Sequence, residues 1–263
     1  MLGKVAVFGS GEISPTGRKV HDFLFSRLES PVKVAILETP AGFQPNVETV
    51  AAEVGEFFEH SLQNYHPQIV YIHAHKRGTK FDPNDPKIVE GILSANYIFA
   101  GPGSPTYTYR NLTNTLLYKY LLRRHQEGVT ISLASAAAIA FGAKTLPVYE
   151  IFKAGADLYW EEGLGFFKKL GLSIVIVTHF NNKEGGKKLD TSRCYMGVSR
   201  FKKLLSMLPR NLSVLGIDEH TACIFDFENQ QCLVMGEGNV TVIRKEKEAT
   251  FKSGSAFFYK ELS

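Results

Sequence analysis

Short apolar runs alternate with polar stretches through most of the chain. KVAVFG (residues 4–9), VKVAILE (32–38), IVYIHA (69–74), NYIFAG (96–101), VTISLA (129–134) and LSIVIVTH (172–179) are nearly continuous in Val, Ile, Leu and Ala. Runs this short, with no polar alternation, predict strands buried on both faces, as in a parallel sheet. Between them lie helical spacings: Val20, Phe23, Leu24 and Leu28; Val50, Val54, Phe57 and Phe58; Leu116, Leu117, Tyr120 and Leu121. Strand followed by helix, repeated, predicts an open α/β sandwich with right-handed crossovers and a mainly parallel central sheet. The last quarter changes pattern: SVLGID, TACIFDFENQQCLVMGEG and NVTVIRK are strand-like with short turns, which predicts extra β-hairpins finishing the sheet. No linker or repeat interrupts the 263 residues, so a single domain over 1–263 is expected.

Composition narrows the class. At 44% hydrophobic and 21% charged residues the chain can bury a full core, and no apolar run approaches the length of a membrane span. The opening MLGKVAVFGSGE is broken by glycine too early for a signal peptide, so a cytoplasmic protein without membrane partners is expected. The net charge of +4 is thinly spread, and the densest basic run, RKEKEATFK from Arg244, carries glutamates between its lysines. That reads as a solvated edge, not a nucleic-acid surface. Cys194, Cys223 and Cys232 lack CxxC spacing and read as buried thiols.

In open α/β sheets ligands sit beyond the carboxyl ends of the strands. The first such loop, GSGEISPTG, lacks the third glycine of a dinucleotide fingerprint and the lysine of a phosphate loop, so no nucleotide cofactor is expected. His73 and His75 fall on one side of an extended segment; with no carboxylate near them in sequence they read as a surface pair, and no metal is expected. Asp82 and Asp85 in FDPNDP read as a turn, since calcium-loop spacing is absent. The other strand ends offer ETPAGF, AGPGSPTY, Ser135, His179, and Asp218 with Glu219. Serine, histidine and acid at three strand ends are the parts of a nucleophile, its base and the group that orients the base. ISLASAAAIAFG places Ser135 where a strand turns sharply into a helix, although Leu133 and Ala137 occupy the glycine slots of GxSxG.

Five ordered motifs together resemble serine peptidase family S51, which includes aspartyl dipeptidase (dipeptidase E) and cyanophycinase. They are AGPGSPTY for its glycine-rich loop, ISLASAAA for its elbow, THFNN for its HF motif, SRFKKLL for its arginine-containing helix and GIDEHTA for its acidic turn. The resemblance implies a three-layer, flavodoxin-like fold similar to class I glutamine amidotransferases, and a serine hydrolase that cleaves a peptide or amide bond beside an aspartyl residue through an acyl-enzyme. It implies Ser135 as nucleophile, His179 as base, Glu219 as acid with Asp218 as the alternative, and Gly103 and Ala136 as oxyanion donors. Ser104, Asp218, Arg193 and Arg200 are the expected substrate contacts, with Lys183, Lys187 and Lys188 as further cations. Leu133 is expected to crowd the elbow, and the contrasting reading is a catalytically silent relative that binds a small molecule or a protein. Glutamine amidotransfer would need cysteine at position 135. Exposed strands in the last quarter suit pairing with a second copy in a homodimer.

Overall fold

A computed structural model describes residues 1–245 and 247–262, so Glu246 of the RKEKEATFK run lies outside the described residues. The strands are β1 (Val5–Phe8), β2 (Lys33–Leu37), β3 (Gln68–Ile72), β4 (Tyr97–Ala100), β5 (Thr130–Ala134), β6 (Lys144–Thr145), β7 (Glu161–Glu162), β8 (Ile174–Val177), β9 (Ser213–Ile217), β10 (Thr221–Asp226), β11 (Gln231–Gly236), β12 (Asn239–Arg244), β13 (Lys247–Lys252) and β14 (Ala256–Phe258). The helices are α1 (Pro15–Phe25), α2 (Val47–Ser61), α3 (Pro86–Val89), α4 (Pro105–Leu112), α5 (Leu116–Gln126), α6 (Ala136–Phe141), α7 (Val148–Phe152) and α8 (Gly197–Ser206).

The central sheet runs β14-β11-β10-β1-β5-β4-β2-β3, with β1, β5, β4, β2 and β3 parallel and β10, β11 and β14 joined antiparallel at one edge. One face packs on α1 and α2 through Val20, Leu24, Phe25, Val54 and Phe58. The other packs on α5, α6 and the inner face of a second sheet. This is the expected mixed α/β sandwich with extra strands near the end of the chain.

One expectation is corrected. The apolar run LSIVIVTH predicts a further strand of the same sheet, but β8 pairs in parallel with β9 inside a separate sheet, β13-β12-β9-β8. The site beside β1 is taken by β10, so β8 has no place there. Its apolar run arises because both faces of the second sheet are covered: Ile174 and Ile176 join the central core, while Val175 and Val177 meet α7 and α8. Two-sided burial reads the same in either sheet. The exposed alternation along β13 agrees with a solvated edge. Among the described residues no helix is long and apolar enough to cross a membrane.

Local chemistry starts the helices that carry the loops of interest. Ser14 accepts from the Gly17 amide with Pro15 just inside α1, and Ser104 accepts from the Tyr107 amide with Pro105 just inside α4. Helix α6 is six buried residues, AAAIAF, and its alanines let its backbone lie close to the sheet.

His21 in α1 is fully buried among aromatic rings, stacked on Phe8 and edge-on to Phe58. Its Nε2 donates to the Glu12 carbonyl (3.0 Å) and its Nδ1 accepts from the Tyr97 hydroxyl (2.7 Å), so it holds the loop after β1 as a neutral imidazole. Burial lowers its pKa from 6.5 to about 3. Between those values the unfolded chain binds a proton that the folded chain refuses, so this stability is present above pH 6.5 and is lost as pH falls toward 3. At pH near 4.5 the expected loss is about 3 kcal/mol relative to neutral pH. Urea midpoints at the two pH values should diverge by less in His21→Leu than in the native chain.

Candidate active site

The turn from β5 into α6 places Ser135 at φ 48° and ψ −110°, a conformation that L-residues rarely adopt. Two backbone bonds fix it: the Ser135 amide donates to the Phe8 carbonyl (3.2 Å), and the Ala137 amide donates to the Gly101 carbonyl (3.3 Å). The strained turn lifts the hydroxyl off the sheet edge. Leu133 does not obstruct it. Alternation along β5 sends that side chain into the core with Ile131, and Leu133 is fully buried there. The expected crowding is therefore corrected: the bulk lies in the sheet layer and not beside the hydroxyl.

His179 follows β8 and also has positive φ, 48°. Its amide donates to the Gly9 carbonyl (3.3 Å), and its carbonyl accepts from the amides of Asn182 (3.1 Å) and Cys194 (3.2 Å). The ring thus stands between the loop after β1 and a left-handed run at Arg193, Cys194 and Tyr195 (φ 58°, 58° and 67°). Glu219 sits in the tight turn from β9 to β10, where its amide donates to Asn181 Oδ1 (2.8 Å).

These three side chains form one hydrogen-bonded chain. Ser135 Oγ lies 2.9 Å from His179 Nε2, and His179 Nδ1 lies 2.8 Å from Glu219 Oε1. An ionised carboxylate only accepts, so Nδ1 carries the proton and the neutral ring presents Nε2 as acceptor to the serine hydroxyl. Asn182 Nδ2 donates to the same Glu219 oxygen (2.8 Å). The His179 hydrogen bond lowers the Glu219 pKa, partial burial opposes it, and the Asn182 bond adds to the lowering. Glu219 therefore stays ionised well below neutral pH.

Ser135 and His179 open on a cavity of about 380 Å³, whose wall includes Gly103, Ala136, Tyr149, Phe152, Lys153 and Tyr195. The Ala136 amide belongs to the first turn of α6, whose N–H groups have no partner inside the helix. Gly103 has φ 149°, and a Cβ there would lie 1.8 Å from the Pro40 carbonyl oxygen, so only glycine fits. Cys194 also reaches the wall, but burial pushes its thiol up to about 12, which keeps it protonated.

The other residues singled out in the sequence turn elsewhere. Asp218 accepts from the Asn239 amide (2.9 Å) and side chain (3.2 Å), bracing the start of β12. Ser104 caps α4. The Arg193 guanidinium stacks over Phe180 and donates to that residue's carbonyl (3.1 Å), while Arg200 donates to the carbonyls of Met196 (2.7 Å) and Tyr195 (2.7 Å). Both arginines donate to backbone carbonyls of the segment beside the cavity. Lys183, Lys187 and Lys188 are exposed. Asp82 accepts from the amides of Gly78 and Asn84, and Asp85 caps α3, as a turn should.

Several groups escaped the sequence reading. Asn181 and Asn182 hold Glu219 from both sides; their place after His179 in THFNN was the available signal. Lys153, just after α7, lines the cavity although no motif in the sequence marks it. Glu12, buried in the loop after β1, has its pKa raised by burial, with a hydrogen bond from its own backbone amide opposing. The pair His73 and His75 is corrected: His75 is buried, and the pairing of β2 with β3 brings Glu38 against both rings.

The fold has counterparts among solved structures. A peptidase from an acI-B1 actinobacterium superposes with a TM-score of 0.77 at 21% identity, over 98% of this chain and 97% of that one. A provisionally assigned peptidase E from Listeria monocytogenes EGD-e gives a TM-score of 0.55 at 13% identity, over 96% of this chain and 99% of that one. No protein-family profile and no curated protein matches the sequence.

Proposed function

We propose that the protein is a serine hydrolase of the dipeptidase E or cyanophycinase type, cleaving a peptide or amide bond through Ser135, His179 and Glu219. The observation that carries this reading is the hydrogen-bonded chain from Ser135 Oγ to His179 to Glu219, with the serine on a strained turn facing a cavity. The likeness of fold to two structures described as peptidases supports it.

In this reading His179 Nε2 takes the Ser135 proton as Oγ attacks the carbonyl carbon. Glu219 keeps Nδ1 protonated and stabilises the imidazolium that forms. The amides of Gly103 and Ala136 receive the negative oxygen of the tetrahedral intermediate. His179 then protonates the leaving amine, and an acyl group remains on Oγ. Water, deprotonated by the same ring, hydrolyses that ester and restores the serine. The cavity volume of about 380 Å³ suits a short peptide. Lys153 is a cation on its wall for a substrate carboxylate, whereas Arg193 and Arg200 donate to backbone carbonyls and do not line the cavity.

The test is chemical. A fluorophosphonate probe should label the folded protein at Ser135, as mapped by peptide mass spectrometry, and an unlabelled Ser135 would refute the nucleophile. Gly103→Ala places a Cβ against the Pro40 carbonyl and should displace the donor loop. Its kcat is expected to fall about 10² to 10³-fold, the usual cost of losing one oxyanion donor. Steady-state kinetics on dipeptides with N-terminal aspartate would measure it.

A further inference from the structure

We propose that Glu38, His73 and His75 bind one divalent first-row transition-metal ion, with zinc as the representative. Glu38 directly follows β2 and His73 directly follows β3, and the register Leu37 with Ile72 sets the two at adjacent strand ends. His75, two residues further along an irregular segment, presents its ring to the same carboxylate oxygen. Glu38 Oε2 lies 2.9 Å from His73 Nδ1 and 2.6 Å from His75 Nε2, and one donor atom from each of the three lies within 4.8 Å of the others.

Hydrogen bonding alone leaves part of this cluster unexplained. Two imidazole N–H groups account for Glu38 Oε2. The other carboxylate oxygen, Oε1, is buried with no hydrogen-bond partner, on a residue only 2% exposed. An ionised carboxylate with one bare buried oxygen is costly, and such an atom calls for an explanation. A cation among the three groups supplies it: the carboxylate gains a charge partner, and each neutral ring carries its proton on the other nitrogen and gives the ion the lone pair of the nitrogen that faces Glu38. Two ligands at about 2.0 to 2.1 Å from a shared ion stand about 2.9 to 3.3 Å apart; the two Glu38–histidine distances, 2.9 and 2.6 Å, are already close to that, and the two ring nitrogens, within 4.8 Å of each other, would draw together around the ion. Two nitrogens and one carboxylate suit zinc and its neighbours, whereas magnesium and calcium prefer oxygen ligands.

The surroundings fit a prepared site. The His75 ring packs on Phe81 at 4.2 Å, the Tyr107 hydroxyl donates to the His75 carbonyl (3.1 Å), and Thr39 Oγ1 donates to the Ala74 carbonyl (2.6 Å). The His73 side chain, 49% exposed, offers a path of entry and leaves room for water on the open side of the ion. The site stands apart from the Ser135 cavity but connects to its rim. Glu38 leads into the turn Thr39–Ala41, where the Pro40 carbonyl accepts from the Ser104 amide (3.0 Å) and closely backs Gly103. Bound metal would therefore stiffen the turn that supports the Gly103 loop.

Untagged, full-length protein stripped with a chelator should bind Zn²⁺ at one equivalent in calorimetry. Co²⁺ should give visible ligand-field bands of a nitrogen- and oxygen-ligated ion, while Mg²⁺ and Ca²⁺ should give no saturable heat. Loss of a ligand should weaken binding at least as much as loss of an outer partner, about tenfold or more, in Glu38→Gln, His75→Ala and His73→Ala. Ser135→Ala should bind as the native chain does. The half-exposed His73 keeps the test open if the buried variants do not fold, with circular dichroism as the check. Absence of saturable zinc binding, or undiminished binding by folded His73→Ala, overturns the proposal. Neither outcome depends on whether Ser135 reacts with a fluorophosphonate, so the metal site and the hydrolase reading stand or fall separately.

Discussion

Ser135→Ala is expected to lower kcat by about 10⁴- to 10⁶-fold while leaving KM within a few-fold of the native value. The large loss follows from the single task assigned to the hydroxyl. Its Oγ bonds to His179 Nε2, and it does not cap α6. The donors at Gly103 and Ala136 and the walls of the cavity stay in place, so binding should survive. Stability should change little, because alanine and serine share the same difficulty at φ 48° and the backbone bonds of the turn remain. Turnover of N-terminal aspartyl dipeptides, a β-aspartyl dipeptide and neutral controls, read beside a thermal melt, provides the measurement. A well-folded variant that keeps a tenth of native turnover would remove Ser135 from the reaction.

Glu219→Gln is expected to cost about 10³- to 10⁴-fold in kcat, the scale found when the acid of such a triad loses its charge. Glutamine can still turn its carbonyl oxygen toward His179 Nδ1 and Asn182 Nδ2, so the ring orientation need not be lost. What goes is the negative charge that stabilises the imidazolium in the transition state. Asp218→Asn is the informative partner. The Asp218 carboxylate bonds to the amide and side chain of Asn239, and an asparagine oxygen can accept both bonds, so its kcat should fall by less than tenfold. Equal losses in the two variants would contradict the assignment of Glu219 as the orienting acid.

Five parallel strands of the central sheet were legible because each is a short apolar run bounded by turn residues; burial on both faces leaves that mark on β1, β2, β4 and β5, while the edge strand β3 is only partly buried. The place of β8 was not, since Ile174 to Val177 would look the same in either sheet. The proposed nucleophile, base and acid were legible as residue types at three strand ends. The roles of the long side chains were not. Arg193 and Arg200 read as substrate contacts in a polar segment, but positive φ at residues 193–195 folds the backbone so that carbonyls lie within their reach. An arginine with five donors takes the nearest acceptors, and nothing in the order of residues states where those will be.

The sequence by itself determined the class of sheet and the strand ends where a serine, a histidine and two adjacent acids collect, because hydrophobic period and residue type are local properties; the preference for Glu219 over Asp218 came from the motif resemblance. Tertiary structure alone decided which groups meet. Ser135 and His179 are 44 positions apart, and His179 and Glu219 are 40 apart. They touch because positive φ at two of them aims side chains across the sheet edge. The same cause turned a histidine pair into a three-residue cluster: Glu38 lies 35 positions before His73, and the parallel pairing of β2 with β3 makes them neighbours. Leu133 shows the converse. Its bulk was plain in the sequence, but the strand's pleat alone decided that it would fill the core and leave the serine free.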